Sequence, residues 1–121
     1  MSDSIETDFD KIHQIINQYF EGLYLGDTAL LVGIFHSDAW LKAPNKRRSL
    51  STWLDDVSRR ESPKQLGQAF DFKILSLDLV KDQAMAKIEC PLFDYHYIDF
   101  LGLLKENGHW LIVNKMYTDI R

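Results

Sequence analysis

The sequence predicts an α+β fold in which three N-terminal helices pack on a strongly bent antiparallel sheet. In the first half of the chain, apolar residues recur at steps of three and four, as on the buried stripe of an amphipathic helix. From Ala69 onward, apolar and polar residues alternate, which is typical of strands with one buried face. With 121 residues and no visible linker or repeat, we expect a single domain over residues 1–121.

The first helix is predicted to run from about Asp8 to Leu25. Thr7 and Asp10 resemble a capping box with the shorter acid, and Gly26 is placed to terminate the helix. The apolar stripe consists of Phe9, Ile12, Ile16, Tyr19, Phe20 and Leu23.

Two shorter helices follow. Asp27 is expected to cap the second, which extends from Thr28 to Phe35. A short strand, Ala39–Ala43, separates it from the third helix, for which Ser49 or Ser51 can serve as the cap. The apolar side of the third helix consists of Trp53, Leu54 and Val57.

The second half of the chain predicts a meander of strands. Apolar residues alternate in one phase up to Ile74 and in the opposite phase from Leu75, which indicates a β-bulge in a long bent strand. Lys81 and Asp82 suit a hairpin tip. The buried face of the next strand is predicted to consist of Ala84, Ala86, Ile88, Cys90 and Leu92.

Residues 97–117 predict two long apolar strands joined by the turn Glu106-Asn107-Gly108. Two opposite charges, Asp99 and Lys115, lie within these strands. A charge on the buried side of a strand is costly unless it is paired or used. The pair is therefore either a cross-strand ion pair that stabilises a hairpin or part of a pocket.

The turn decides which residues of these strands face each other. A three-residue loop, with Gly108 in the left-handed bulge position, sets Asp99 opposite Lys115 and Tyr97 opposite Tyr117. A two-residue loop would shift the pairing by one residue and break this polar patch. We take the three-residue loop as the expectation.

The same register predicts an apolar outer face, with Trp110 placed to contact a second subunit. Besides Trp110, this face consists of Ile98, Phe100, Gly102, Leu104, Ile112, Asn114 and Met116. Because it is too apolar to stay exposed to water, we expect a twofold partner to cover it.

Two parts of the chain resemble the NTF2-like (nuclear transport factor 2) superfamily. They are the segment Tyr19–Asp27 and the closing segments Tyr97–Leu101 and Gly108–Lys115. Within the superfamily, the chain most resembles a small bacterial branch named for lumazine binding, akin to the SnoaL-like polyketide cyclases. The resemblance implies a cystatin-like cone, usually dimeric through the sheet, with a pocket between sheet and helices. Some members, such as ketosteroid isomerase and scytalone dehydratase, perform acid–base chemistry in that pocket, whereas others only bind.

We expect a homodimer that binds a small, partly aromatic or cyclic molecule in this pocket. The predicted polar ligand contacts are Tyr97, Asp99, Lys115 and Tyr117, and the predicted apolar walls are Trp40, Trp53 and Tyr24. An alternative is a cofactor-independent isomerase, dehydratase or cyclase that uses Asp99 or His36, which the resemblance suggests by approximate position. A third possibility is a dimeric scaffold whose pocket is filled by its own side chains.

The amino-acid composition limits the classes of binding partner that we expect. The net charge of −4 argues against general affinity for nucleic acids or anionic membranes. The basic residues Lys46-Arg47-Arg48, Arg59 and Arg60 are interpreted as solvated surface, with anion contacts as the alternative. We expect no cofactor, because the sequence has no Walker-type or dinucleotide-binding glycine pattern. We also expect no metal, since no His, Asp or Glu pair has convincing ligand spacing together with a third ligand.

The expected location is the cytoplasm. The acidic segment Met1–Glu6 lacks the features of a signal peptide, and no apolar run approaches the roughly 20 residues of a membrane span. The single cysteine, Cys90, cannot form an internal disulfide, which is compatible with a reducing compartment.

Overall fold

The computed structural model describes residues 6–121. Residues 1–5, on which most of the signal-peptide prediction rests, lie outside the described residues. The elements in chain order are α1 (Asp8–Leu25), α2 (Thr28–Ile34), β1 (Phe35–Ala43), β2 (Lys46–Ser49), α3 (Leu50–Arg59), β3 (Lys73–Val80), β4 (Gln83–Leu92), β5 (Tyr95–Glu106) and β6 (His109–Asp119). Three helices pack on one curved, open sheet, which confirms the α+β class.

The first helix, α1, begins and ends where its capping residues predict. The Thr7 hydroxyl accepts a hydrogen bond from the Asp10 N–H at 3.1 Å, and the Asp10 carboxylate accepts one from the Thr7 N–H at 3.2 Å. Gly26 ends the helix in the left-handed conformation, with φ of 65°. Gly22 lets α2 approach closely, because a Cβ added there would lie 2.6 Å from Leu31 Cδ2.

The sheet has the strand order β2-β1-β6-β5-β4-β3. All neighbouring pairs are antiparallel except β1 and β6, which are parallel. The expectation of a purely antiparallel sheet is therefore wrong for this pair. The long connection through α3 and the β3–β5 meander returns the chain beside β1 in the same direction, as a parallel pair requires. The short strand β2, which sequence reasoning missed, pairs with β1 after a turn at Asn45 with φ of 64°.

The meander confirms three local predictions. The β3–β4 register shifts between Ile74 and Ser76, where the change of phase indicates a bulge. Val80 pairs with Gln83 across the predicted hairpin tip. All five residues predicted for the inner face of β4 are buried.

The β5–β6 register differs from the expected one. Glu106 pairs with His109, so the loop has only two residues, Asn107 and Gly108, with φ of 52° and 79°. Positive φ at both positions is the type I′ geometry that Asn-Gly favours. The prediction of a three-residue loop is therefore wrong.

A β-bulge further from the turn returns the residues of β5 and β6 to the faces on which they were predicted. The β5–β6 register shifts again between Gly102 and Leu103, so that Leu101 pairs with Lys115 and Asp99 pairs with Tyr117. Asp99 is thus not directly opposite Lys115, but the two side chains share the inner face as diagonal neighbours.

The turn also reverses the face of Trp110. Its side chain is buried, and its Nε1 donates a hydrogen bond to Asp8 Oδ1 at 3.0 Å. Ile112 is likewise buried. Trp110 is therefore a core residue that ties β6 to the start of α1, and its predicted role as a subunit contact is wrong.

No helix within residues 6–121 is both long and apolar enough to span a bilayer.

Candidate functional site

A cavity of about 50 Å³ lies between the inner face of the sheet and the helices. Its polar lining consists of Arg48, Arg60, Tyr97, Asp99, Lys115 and Tyr117, and its apolar walls are Leu23, Trp53 and Leu92. β5 supplies Tyr97 and Asp99, and β6 supplies Lys115 and Tyr117, because residues two apart on a strand face the same side. The bulge in the β5–β6 pair therefore assembles this polar group.

Asp99 and Lys115 form a buried ion pair in the cavity lining. Lys115 Nζ lies 3.8 Å from Asp99 Oδ2, and the two residues are only 7% and 2% exposed. The Tyr19 hydroxyl of α1 donates a hydrogen bond to the same Oδ2 at 2.9 Å. Asp99 Oδ1 is buried and has no hydrogen-bond partner within residues 6–121. Besides Tyr19 and Lys115, the buried thiol of Cys90 interacts with this carboxylate, but a thiol is only a weak donor. The site thus contains an acceptor that no strong donor of residues 6–121 satisfies.

Aromatic rings surround the ammonium group of Lys115. Its Nζ lies 4.6 Å from the ring centre of Trp53 and 5.3 Å from those of Tyr19 and Tyr117. Rings at these distances stabilise a cation through their negative faces. Burial nevertheless lowers the pKa of Lys115, an effect that the charge of Asp99 opposes. Burial, followed by the charge of Asp99, raises the pKa of Tyr19 well above its usual value, so its hydroxyl remains a donor.

Arg48, on β2, also lines the cavity. Its Nη1 donates to Asp56 at 3.0 Å and its Nη2 to the Tyr117 hydroxyl at 3.1 Å. Its Nε is buried without a hydrogen-bond partner in the described part of the chain. A buried donor without a partner is costly, so this nitrogen is a second unmet polar group of the site.

Arg60, just beyond the end of α3, is the second arginine of the lining. Its guanidinium carbon lies 4.9 Å from the ring centre of Phe93. Burial lowers the pKa of Arg60, and the positive charge of Arg48 adds to this effect. Within residues 6–121, no acidic side chain forms an ion pair with Arg60.

The arginines are the part of the site that sequence reasoning placed mainly on a solvated surface. The alternative interpretation of these basic residues, contact with an anion, was the only indication in the sequence that Arg48 and Arg60 belong to a binding site. Arg48 was hard to single out because β2 was not predicted, and neighbouring Arg47 instead donates to main-chain carbonyls.

The structure brings together five predicted site residues around the cavity: Tyr97, Asp99, Lys115, Tyr117 and Trp53. It does not bring the other three to the same place. Trp40 lies on the outer face and is 46% exposed. The Tyr24 hydroxyl donates to the Gln68 carbonyl at 2.8 Å, outside the cavity lining. These two side chains are therefore not walls of this cavity.

His36 also lies away from Asp99. It is paired with Asp38, its Nε2 is 4.0 Å from Glu106 beside the β5–β6 turn, and its side chain is 37% exposed. In the part of the chain that the structure describes, no three His, Cys, Asp or Glu residues are grouped so as to hold a metal ion.

Comparisons with known proteins agree with this architecture. The family model described as "Putative lumazine-binding" matches residues 7–118. An NTF2-like protein of unknown function from Methylobacillus flagellatus is 25% identical, with a TM-score of 0.78, over 100% of this chain and 99% of that one. An NTF2-like protein of unknown function from Shewanella baltica is 23% identical, with a TM-score of 0.78, over 97% and 99%. No curated protein sequence matches the chain.

The family match covers nearly all of the described residues, and the structural matches extend over whole chains of similar length. The chain therefore belongs to the "Putative lumazine-binding" family, and its fold is NTF2-like.

Proposed function

We propose that this protein binds a small molecule in the cavity between the curved sheet and the helices. The observation that carries the proposal is the pair of unmet polar groups at the cavity, Asp99 Oδ1 and Arg48 Nε. Most of the surrounding core is aliphatic or aromatic, where an unsatisfied polar group costs about 1–3 kcal/mol. A ligand with matching donors and acceptors would recover this cost, as would ordered water.

The size of the cavity limits how a ligand enters. Pockets for drug-sized molecules measure roughly 300–1,000 Å³, whereas this cavity measures about 50 Å³. A polar head group fits this space, and a cyclic ligand of the predicted kind needs the lining side chains to move. Tyr97 and Tyr117 are the candidates, because both are only half-buried and their rings meet edge to face at 5.8 Å.

A binding screen tests this proposal. Pterins, including lumazine because of the family's name, flavins and hydroxylated aromatics are screened by thermal shift, and hits are confirmed by calorimetry. If a compound from the screen binds in the cavity, Lys115→Met should lower its affinity at least about tenfold. The matched control is Lys64→Met, which changes an exposed lysine outside the cavity lining and should leave affinity within about twofold. If Lys115→Met leaves the affinity of a compound unchanged, that compound binds elsewhere on the protein. If no compound binds, the result favours the scaffold alternative.

An acid–base enzyme is the second candidate, because a buried carboxylate with one free oxygen borders the cavity. Asp99 would act as the base, and the nearby Lys115 ammonium would stabilise a developing negative charge. Asp99→Asn would then abolish turnover of a bound compound, whereas in a pure binding protein it would only change affinity. His36 remains a weaker candidate because it lies beside the β5–β6 turn.

We further propose that the protein forms a homodimer through the outer face of the sheet. A groove of about 340 Å³ crosses this face, lined in part by Ile98, Phe100 and Met116. Phe100 and Met116 are 37% and 43% exposed, and a second copy would cover them. Phe100→Glu should convert a dimer to a monomer in light scattering, whereas Val32→Glu, on α2, should not. A dimer that survives Phe100→Glu would exclude this interface.

A reducing compartment such as the cytoplasm remains our expectation for location. Its support is the free, buried thiol of Cys90.

A further inference from the structure

We propose that the ligand of this cavity carries a carboxylate group, held by Arg60 together with Arg48 and Lys115. This inference rests on the proposed binding function and specifies the chemical class of the ligand.

The charges around the cavity favour an anion. Three cationic side chains, Arg48, Arg60 and Lys115, line it together with a single acid, Asp99. This local excess is opposite in sign to the net charge of the chain, −4. A positively charged cleft with low-dielectric walls attracts anionic ligands.

The ion pairs show how many negative charges the site lacks. Asp99 pairs with Lys115 at 3.8 Å, and Asp56 pairs with Arg48 at 3.0 Å. Arg60 is the cation of the lining that forms no ion pair with an acid of residues 6–121. The nearby charge of Asp56 acts on Arg60 as well, but Asp56 is already paired with Arg48. One uncompensated positive charge matches a monoanion, such as a carboxylate, better than a phosphate dianion.

The donors also suit a carboxylate. A guanidinium group presents its N–H groups in a planar fork that matches the two oxygens of a carboxylate. Arg60 supplies such a fork, the unpartnered Nε of Arg48 is a further donor in the same lining, and Lys115 adds an ammonium. Burial raises the pKa of Tyr97, so its hydroxyl also stays protonated as a donor at neutral pH.

The space fits a head group of this size. At about 50 Å³, the cavity can admit a carboxylate, while the rest of a ligand would extend past Tyr97 and Tyr117. The side chain of Arg60 is already partly fixed over the ring of Phe93, so its ordering costs less on binding.

Matched probes test the inference. Acetate, propionate and benzoate are titrated by calorimetry and by NMR of the arginine side chains, each against its neutral amide and against inorganic phosphate. We expect the carboxylates to bind at least about tenfold more tightly than the amides and than phosphate. Arg60→Gln should remove most of this preference. Arg59→Gln is the matched control, because Arg59 is the adjacent arginine, 75% exposed and paired with Asp55, and it should change affinity less than about twofold.

The outcomes separate the two proposals. Amides that bind as tightly as carboxylates, with loss of both in Lys115→Met, would overturn the carboxylate inference and leave small-molecule binding intact. Tighter binding of phosphate, or an unchanged preference in Arg60→Gln, would also overturn it. If neither the probes nor any compound of the wider screen binds, both proposals fail.

Discussion

Replacing Asp99 by Asn tests the central feature of the site, a buried carboxylate beside a buried ammonium. The substitution keeps the size of the side chain and leaves an amide oxygen to accept from the Tyr19 hydroxyl, but it removes the negative charge. At the observed separation of 3.8 Å, the attraction between Asp99 and Lys115 is about 4 kcal/mol for an effective dielectric constant of about 20. Deprotonation of Lys115 would reduce the free-energy cost of the substitution, and burial already lowers the pKa of Lys115.

We therefore expect Asp99→Asn to reduce the free energy of unfolding by about 3 kcal/mol, as is usual when one member of a buried pair is removed. Lys115→Met should have a similar cost, since it leaves the Asp99 carboxylate without its counter-ion. The double variant removes both charges and should lose clearly less than the sum of the two single variants. The expected coupling energy is about 2 kcal/mol.

Urea unfolding, followed by fluorescence at one fixed protein concentration, measures all four free energies. The control is Asp56→Asn, which breaks the Arg48 pair at the surface, where Asp56 is 47% exposed, and should cost about 0.2–1 kcal/mol. The reasoning is refuted if Asp99→Asn costs no more than Asp56→Asn, or if the coupling energy is below about 0.5 kcal/mol. Either result would show that the ion pair does not act as a buried one.

Three further predictions follow from individual contacts. Thr7→Ala removes the capping box of α1 and should lower the free energy of unfolding by about 1 kcal/mol in urea titrations; a loss near zero would contradict the cap. Gly22→Ala places a methyl group 2.6 Å from Leu31 and should cost about 1–3 kcal/mol, whereas Gly33→Ala, with open space around it, should not destabilise. Between its lowered pKa and 10.5, folded Lys115 binds fewer protons than the unfolded chain, so its contribution to stability should rise with pH. The raised pKa values of Tyr19 and Cys90 act in the opposite direction, so the effect is measured as a difference between variants. The free energy of unfolding of the wild type minus that of Lys115→Met should rise from pH 7 upward.

The fold was predictable where the signals act over a few residues. The Thr7 cap and Gly26 fix the ends of α1, and the change of phase at Leu75 marks the bulge of β3. Alternation alone identified the buried face of β4. Each signal depends on the chain's own neighbouring backbone, so it can be read without knowing what packs against it.

The site was predictable only in part. The sequence identified Asp99, Lys115 and the two tyrosines as a group because charges in apolar strands are costly. The predicted three-residue loop is absent from the structure, and these four side chains nevertheless meet because the bulge near Gly102 returns them to the same face of the sheet. Because the predicted loop was one residue too long, Trp110 was expected on the outer face, whereas it lies in the core.

Local sequence thus set the helix ends, the strand pattern and the charged residues within the last two strands, because capping, turn preference and periodicity act between near neighbours. The parallel pairing of β1 with β6, the registration of β5 on β6 and the convergence of Arg48 and Arg60 on one cavity came from contacts between residues far apart in the chain. Such contacts depend on how whole elements pack, and a shift of one residue in a strand moves every side chain to the other face.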